Sequence, residues 1–516
     1  MFPSTYKKAS RVYNSTVSFS KHWISTYYPN RNLKFYGVSV EDVQAFSQHY
    51  FFSCLLENLP IDNTWAQYPR TTNRVAKEAI KEPANKIRYT IIQFLGRLIF
   101  PRTDVHRLVS TDIVILSSGR HLIDLLPLIL HLNAKFKVLI VGKMSDDAKK
   151  FLKMKKINFL DIPSGTSFIP RWQRLNYLFK FLCKPWKNKH GHKFLNNPYW
   201  KNRLMYLRVM QFPEIAALLT LANSLFLHTK PKLLLTSSSN DTFGSAFSLI
   251  AKRQKIKVAD LQHGFIPFAI DVPFCHRDFF LAWGKIFNNY YFNANEKMVI
   301  VGCPSQKKMR AKRLISLKKL KIVKVLVLWA PAFDTGSPFR FQSDAKTLND
   351  LVKGLSQLPP NYQVTIRKHP ACKIENRLKE LILSKNIYFD SSRNALDAIK
   401  SNDIVITQPT SANFIAIMHK KPLLFFNNSW LNLKFGDPLI KSGSAVNVPC
   451  SSLSEINKYI LKLVTDIALL KKQRNAQTVY FEEYCPYFGK DSWKQIEKII
   501  KTEIKSKDNE THLENI

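Results

Sequence analysis

The apolar positions of this chain fall into short runs separated by amphipathic stretches, and that alternation dominates from Thr111 to Phe426. Residues 112–116 (DIVIL) read as a buried strand. Ser117-Ser118-Gly119-Arg120 then turns into an apolar helix over 121–132, and 137–141 (KVLIV) is the next strand. A strand–helix–strand unit implies parallel pairing. The rhythm resumes with a strand at 232–236, a turn in which Asn240 and Asp241 can cap the following helix, and a helix over 244–254. The strand 256–262 ends at Gln262-His263-Gly264, and apolar runs at 278–283 and 298–301 end on Gly284 and Gly302. Strands that stop on glycine at close intervals gather backbone and polar side chains at one sheet edge, and open α/β sheets bind ligands at their carboxyl edge.

A basic stretch, 306–324, reads as a linker, and 325–329 (VLVLW) opens a second series. Its strands are 362–367 (YQVTIR), 387–389, 403–407 (DIVIT) and 422–426 (PLLFF), and its helices are 344–358, 375–384, 394–400 and 412–419. The pattern predicts an α/β chain of two Rossmann-like domains facing a cleft, residues 101–315 and 316–490. A helix-leaning extension, 1–100, precedes them; a C-terminal helix and disordered tail, 491–516, follow. Residues 491–503 are amphipathic and could cross back to the first domain. Within the extension, 40–59 has helical spacing limited by Pro60. The stretch 76–100 is basic on one side and apolar on the other, fitting a membrane-surface helix or a helix docked on the protein's own core.

Composition narrows the partners. Of 516 residues, 78 are Lys or Arg against 37 Asp or Glu, a net charge of +41, which favours anionic partners. Zinc-finger spacing, RNA-recognition motifs and long basic heptads are all missing, which argues against nucleic acid and leaves an anionic membrane surface or phosphorylated substrates. The seven cysteines are scattered, odd in number and never in CxxC, the usage of reduced thiols in a cytosolic protein. No run approaches the roughly 20 apolar residues of a spanning helix. The expectation is a cytoplasmic protein, peripheral at the inner face of the cell membrane, with no cofactor and no metal site. His190 and His192 lie in a Lys-rich loop without carboxylates.

Four places carry candidate chemistry. His263, with Gly264, ends a strand at the expected cleft. Gly119 and Arg120, after two serines, could face an anion or a sugar, though a plain strand-to-helix turn explains them too. Arg367, Lys368 and His369 bring three basic groups to a strand's carboxyl end, and Pro370 suits the first turn of a helix; cations and a helix N-terminus suit a diphosphate. Thr410 and Ser411 can cap the helix after them and leave its free N–H groups for a phosphate. Asp271 and Asp278 follow His263 as alternative bases, Asp278 being better explained as a strand start.

The order of Gln262-His263-Gly264, Ala282-Trp283-Gly284, Val301-Gly302-Cys303-Pro304, Arg367-Lys368-His369-Pro370, the strand 403–407 with QPTS, and Lys421-Pro422 resembles bacterial surface-polysaccharide glycosyltransferases. More broadly it resembles the GT-B branch that includes CDP-glycerol glycerophosphotransferases and capsule-synthesis proteins. The resemblance implies a first domain facing a glycan or lipid-linked acceptor, a second holding a nucleotide-sugar donor, and no metal requirement. On matching positions it implies His263 as general base or substrate positioner, with His369 and Arg367 at the donor phosphates and Thr410 and Ser411 at a phosphate-binding helix. The chain departs from the glycerophosphotransferases at Gln262, where they carry an aromatic residue, and at Pro409-Thr410-Ser411, where they carry a Tyr-Ser-Ser type turn. Competing expectations are a CDP-polyol phosphotransferase, a nucleotide-sugar epimerase of the same fold, or a non-catalytic membrane-associated scaffold of polysaccharide assembly.

Overall fold

The strands that build the two main sheets are mostly apolar at consecutive positions, so each sheet must be covered on both faces. The computed structural model describes residues 34–40, 42–43, 108–117, 119–162, 212–237, 241–262, 276–285, 297–305, 317–329, 344–369, 374, 376–385, 387–392, 394–408, 410, 412–427 and 439–514.

The first described element differs from the helix-leaning expectation. β1 (Lys34–Phe35) and β2 (Val38–Ser39) form an antiparallel hairpin. Tyr36 and Gly37 both sit in the left-handed region (φ 52° and 76°), the backbone of a two-residue hairpin turn. Tyrosine there hides the turn from a sequence reading tuned to Asn-Gly or Asp-Gly. The stretch 76–100 lies outside the described residues.

The first large sheet is built from β3 (Ile113–Leu116), α1 (Gly119–Asn133), β4 (Val138–Gly142), α2 (Asp146–Met154), β5 (Asn158–Asp161), α3 (Phe212–Thr229), β6 (Leu233–Thr236), α4 (Thr242–Arg253), β7 (Lys257–Leu261), β8 (Phe279–Ala282) and β9 (Lys297–Ile300). All seven of its strands are parallel, in the order β5-β4-β3-β6-β7-β8-β9. Alternate residues serve opposite cores. Val114 and Leu116 join the layer with α3 and α4, while Ile113 and Ile115 join the layer with α1.

The second comprises β10 (Val323–Trp329), α5 (Asp344–Leu355), β11 (Tyr362–Lys368), α6 (Asn376–Ser384), β12 (Ile387–Phe389), α7 (Ala395–Ser401), β13 (Ile404–Thr407), α8 (Ala412–Met418), β14 (Leu423–Phe425) and β15 (Val446–Asn447). Its strands, also all parallel, run β12-β11-β10-β13-β14-β15. Both sheets therefore start with the Rossmann order 3-2-1-4-5-6, whose reversal between strands 1 and 4 opens a crevice at the carboxyl edge. The expected α/β class with two Rossmann-like halves is what the chain adopts.

Three helices close the chain: α9 (Ile456–Thr465), α10 (Ile467–Tyr484) and α11 (Lys490–Glu514). α11 returns to the first sheet, where Ile496 and Ile500 are buried in the core that holds α1. Each large apolar side chain buried so completely contributes roughly 1.5–3 kcal/mol. Polar contacts fix its register: Trp493 donates from Nε1 to the Pro304 carbonyl (2.9 Å), and Glu497 accepts from Lys135 (2.7 Å) and pairs with His131 (2.8 Å) and Lys501 (2.6 Å). Among the described residues no helix is long and apolar enough to cross a membrane.

Candidate active site between the two carboxyl edges

The two carboxyl edges touch. Trp283, just past β8, meets Phe414 in the first turn of α8 edge-to-face, ring centroids 5.6 Å apart. α8 itself leaves the carboxyl end of β13. Phe280, Ala282 and Trp283 from the first sheet share one apolar cluster with Leu326, Leu328, Val405, Phe414 and Tyr480 from the second unit. Gly284 and Gly302 serve this junction. A Cβ on Gly284 would lie 1.4 Å from the Tyr484 carbonyl oxygen, and one on Gly302, at φ +75°, 2.0 Å from that of Tyr487. These strand-ending glycines admit the crossing segment between α10 and α11, a role that spacing alone did not separate from ligand contact. Cys303 donates its N–H to Tyr487 (3.0 Å), and burial pushes the nearby Cys485 thiol well above its ordinary value.

On the first edge, the strand that delivers the His263 loop is locked by Gln262. Its side-chain oxygen accepts from the Trp283 N–H (2.7 Å) and its carbonyl accepts from the Trp283 indole (2.8 Å). The first of these bonds needs a side-chain carbonyl oxygen, which an aromatic ring lacks. His263, Gly264 and Asp271 lie outside the described residues. Asp278 lies at the opposite, amino edge. It accepts from the Val258 N–H (2.8 Å) and faces Lys252 at 3.6 Å, as a strand start should.

At the first crevice, between β3 and β6, stand Ser117 and Ser237, both buried. The Ser117 hydroxyl is enclosed without a hydrogen-bond partner, an arrangement that costs about 1–3 kcal/mol if nothing pairs with it. α1 begins two residues later at Gly119-Arg120. Ser117 is the first of the two serines that precede Gly119 and Arg120, and its burial depends on the packing around β3 and β6 rather than on the turn sequence.

On the second edge, Lys368 and His369 are exposed at the end of β11, and the His369 N–H extends the pairing to Trp329 by one more bond (2.8 Å). Arg367 is differently engaged. Its guanidinium pairs with Asp390 and donates to the Ser392 carbonyl (2.9 Å), while Ser392 donates to the second Asp390 oxygen (2.7 Å). Arg367 thus holds the turn after the outer strand β12. Ser392 is committed to that turn, and the cap of α7 is Asn394, which accepts from the Asp397 N–H (2.9 Å).

The turn after β13 is tied internally. The Thr407 hydroxyl lies 2.5 Å from the Asn413 side-chain oxygen and 2.9 Å from the Gln408 carbonyl, its one proton shared between them, and Asn413 donates to that same carbonyl (3.1 Å). All three residues are buried. Thr410 takes up the first helical N–H groups: its hydroxyl accepts from Ala412 at 3.4 Å and its carbonyl from Asn413 at 3.0 Å. α8 has only seven residues, so its first turn offers little beyond these bonds. Ser411 lies outside the described residues. Asn413 ties this turn from within a short apolar helix, where a polar residue carries no spacing signal.

No family model matches the chain, and no curated protein matches it. Solved structures do. A putative UDP-N-acetylglucosamine 2-epimerase from Listeria monocytogenes superposes on 76% of this chain and 96% of its own, with 11% identity and a TM-score of 0.48. A glycosyltransferase from Rickettsia africae matches over 77% and 99% (14% identity, TM-score 0.44). Anabaena HepE in complex with UDP and glucose matches over 76% and 99% (11% identity, TM-score 0.46).

Proposed function

We propose that this chain is a glycosyltransferase that moves a sugar from a nucleotide-activated donor to a growing surface polysaccharide or lipid-linked glycan, without a metal. The observation that carries the reading is the meeting of two Rossmann-order carboxyl edges at Trp283 and Phe414, one edge lined by hydroxyls and the other by Lys368 and His369.

In this reading the donor's phosphates lie on the second edge. Lys368 and His369 neutralise charge that grows on the leaving phosphate as the bond to the sugar's anomeric carbon breaks. Arg367, bound to Asp390, positions that edge. Thr410 and Ser411 shape the neighbouring wall. The acceptor lies on the first edge, near Ser117, Gly119, Arg120 and Gly264. A neutral imidazole at His263 takes the acceptor hydroxyl's proton near pH 7 as its oxygen attacks; Asp271 is the alternative base. The nucleotide leaves with the electron pair of the broken bond.

Thermal shift against CMP, CDP, UDP and GDP and their sugars tests the donor side, since a ligand of the native state raises its stability. One nucleotide series should raise Tm, and Lys368→Ala/His369→Ala should remove the shift. No response to any nucleotide would sink the proposal. Mass spectrometry on the responding nucleotide sugar separates transfer, which needs an acceptor, from epimerisation, which does not.

A further inference from the structure

We propose that the amino edge of the first sheet is a docking surface for an anionic phospholipid bilayer. All seven strands are parallel, so every turn entering them lies on one side, opposite the cleft. Exposed lysines occupy these turns: Lys155 and Lys156 before β5, Lys137 before β4, Lys230 before β6, and Lys255 and Lys257 at β7. Lys156, Lys230 and Lys255 have positive φ of 53°, 45° and 55°, where helix ends usually place glycine. From β5 to β7 the strip crosses four strand spacings, about 19 Å.

Charge alone would suit any polyanion, and the chain's +41 supplies it everywhere. The same edge also displays apolar side chains. Val109 is 61% exposed, Met154 65% and Leu227 59%. Val109 precedes β3, Met154 ends α2, and Leu227 lies in the last turn of α3. Tyr36, 46% exposed, joins them, because its hairpin turn packs on Arg253 at the end of α4. Apolar side chains set among lysines are the composition of a surface that enters the headgroup layer, where bases attract anionic lipids and apolar groups reach the acyl boundary. Two acidic groups at this edge are engaged, Asp112 accepting from the Lys137 N–H (2.8 Å) and Asp278 from the Val258 N–H (2.8 Å), and a third, exposed Asp42, sits beside His276.

Co-sedimentation of the full chain with phosphatidylcholine vesicles, with and without phosphatidylglycerol, tests the surface. Binding should require phosphatidylglycerol and weaken with salt. Lys137→Glu/Lys155→Glu/Lys257→Glu should weaken it on the order of a hundredfold, at about 1 kcal/mol per lysine. Val109→Ser/Met154→Ser/Leu227→Ser should weaken it several-fold at unchanged charge. The control Lys321→Glu/Lys353→Glu/Lys385→Glu, on the second unit, should bind like the native chain. Equal loss in that control would reduce the effect to net charge and overturn the proposal. So would full binding by the first triple variant with an unchanged Tm, or tighter binding to duplex DNA than to vesicles. None of these readouts depends on nucleotide binding or transfer.

Discussion

The two carboxyl edges are built to one topology and differ in chemistry. The first presents Ser117, Ser237 and Gln262, uncharged and buried. The second presents Lys368 and His369 exposed, with Arg367 beside them tied to Asp390. A shared 3-2-1-4-5-6 order places a crevice on each sheet, and the side chains at the strand ends then decide what each crevice can hold. Hydroxyls and amides suit a polar neutral ligand; exposed basic side chains suit a phosphate. In the proposed reading this asymmetry puts the donor's phosphates on the second edge and the acceptor on the first.

That comparison breaks first if the edges are not held together. Phe414, 4% exposed, is the piece of the second unit that touches Trp283. Phe414→Ala should cost about 3–5 kcal/mol by urea unfolding, as for other buried aromatic truncations. A loss below about 1 kcal/mol would mean that the junction is not packed as a core. Next comes the charge asymmetry. Lys368→Ala/His369→Ala should weaken nucleotide binding by about 1.5–3 kcal/mol, the range for hydrogen bonds to charged groups, and leave Tm within error. Ser237→Ala, on the other edge, should leave nucleotide affinity unchanged in the same titration.

The strap between the units titrates. Lys135, Lys501 and His131 hold the Glu497 carboxyl down to about 2. Its folded value lies below its unfolded one, so the stabilisation is present above about pH 4.5 and is lost as pH falls toward 2. Glu497→Gln should cost about 1–2 kcal/mol at pH 7, because Lys135 and Lys501 are partly exposed and screened, and flatten the stability profile between those limits. His276 adds a separate acid phase. Burial lowers its imidazole to about 4, so its part is lost as pH falls from 6.5 toward 4. Glu497→Gln should leave that phase in place.

The strands and their parallel order were legible because buried parallel strands read as short runs of Val, Ile and Leu bounded by turn residues. DIVIL, KLLLT, VLVLW and DIVIT each became one. The position of Lys368 and His369 was legible for the same reason, since they end such a run. What the sequence hid was side-chain commitment. Arg367 looks as available as Lys368 until Asp390, 23 residues away, is placed beside it. Gly284 and Gly302 look like ligand-loop glycines until the 484–489 crossing is laid over them. The Tyr36-Gly37 turn was missed because tyrosine seldom takes positive φ. Each depends on contacts distant in sequence, which periodicity does not encode.

The smallest expected effect tests the first edge most directly. Ser117 buries a hydroxyl at the β3/β6 crevice with no partner. If that hydroxyl serves only the fold, Ser117→Ala removes an unsatisfied group and should raise stability, by about 1 kcal/mol or less. If it awaits a sugar hydroxyl, stability changes in the same direction, but acceptor KM should rise severalfold at unchanged kcat and unchanged nucleotide affinity, the signature of a ground-state contact. Ser117→Thr keeps the hydroxyl and should restore acceptor binding where the added methyl fits. A Ser117→Ala enzyme with native KM would move the acceptor away from this crevice and leave the second edge as the better-supported half of the site.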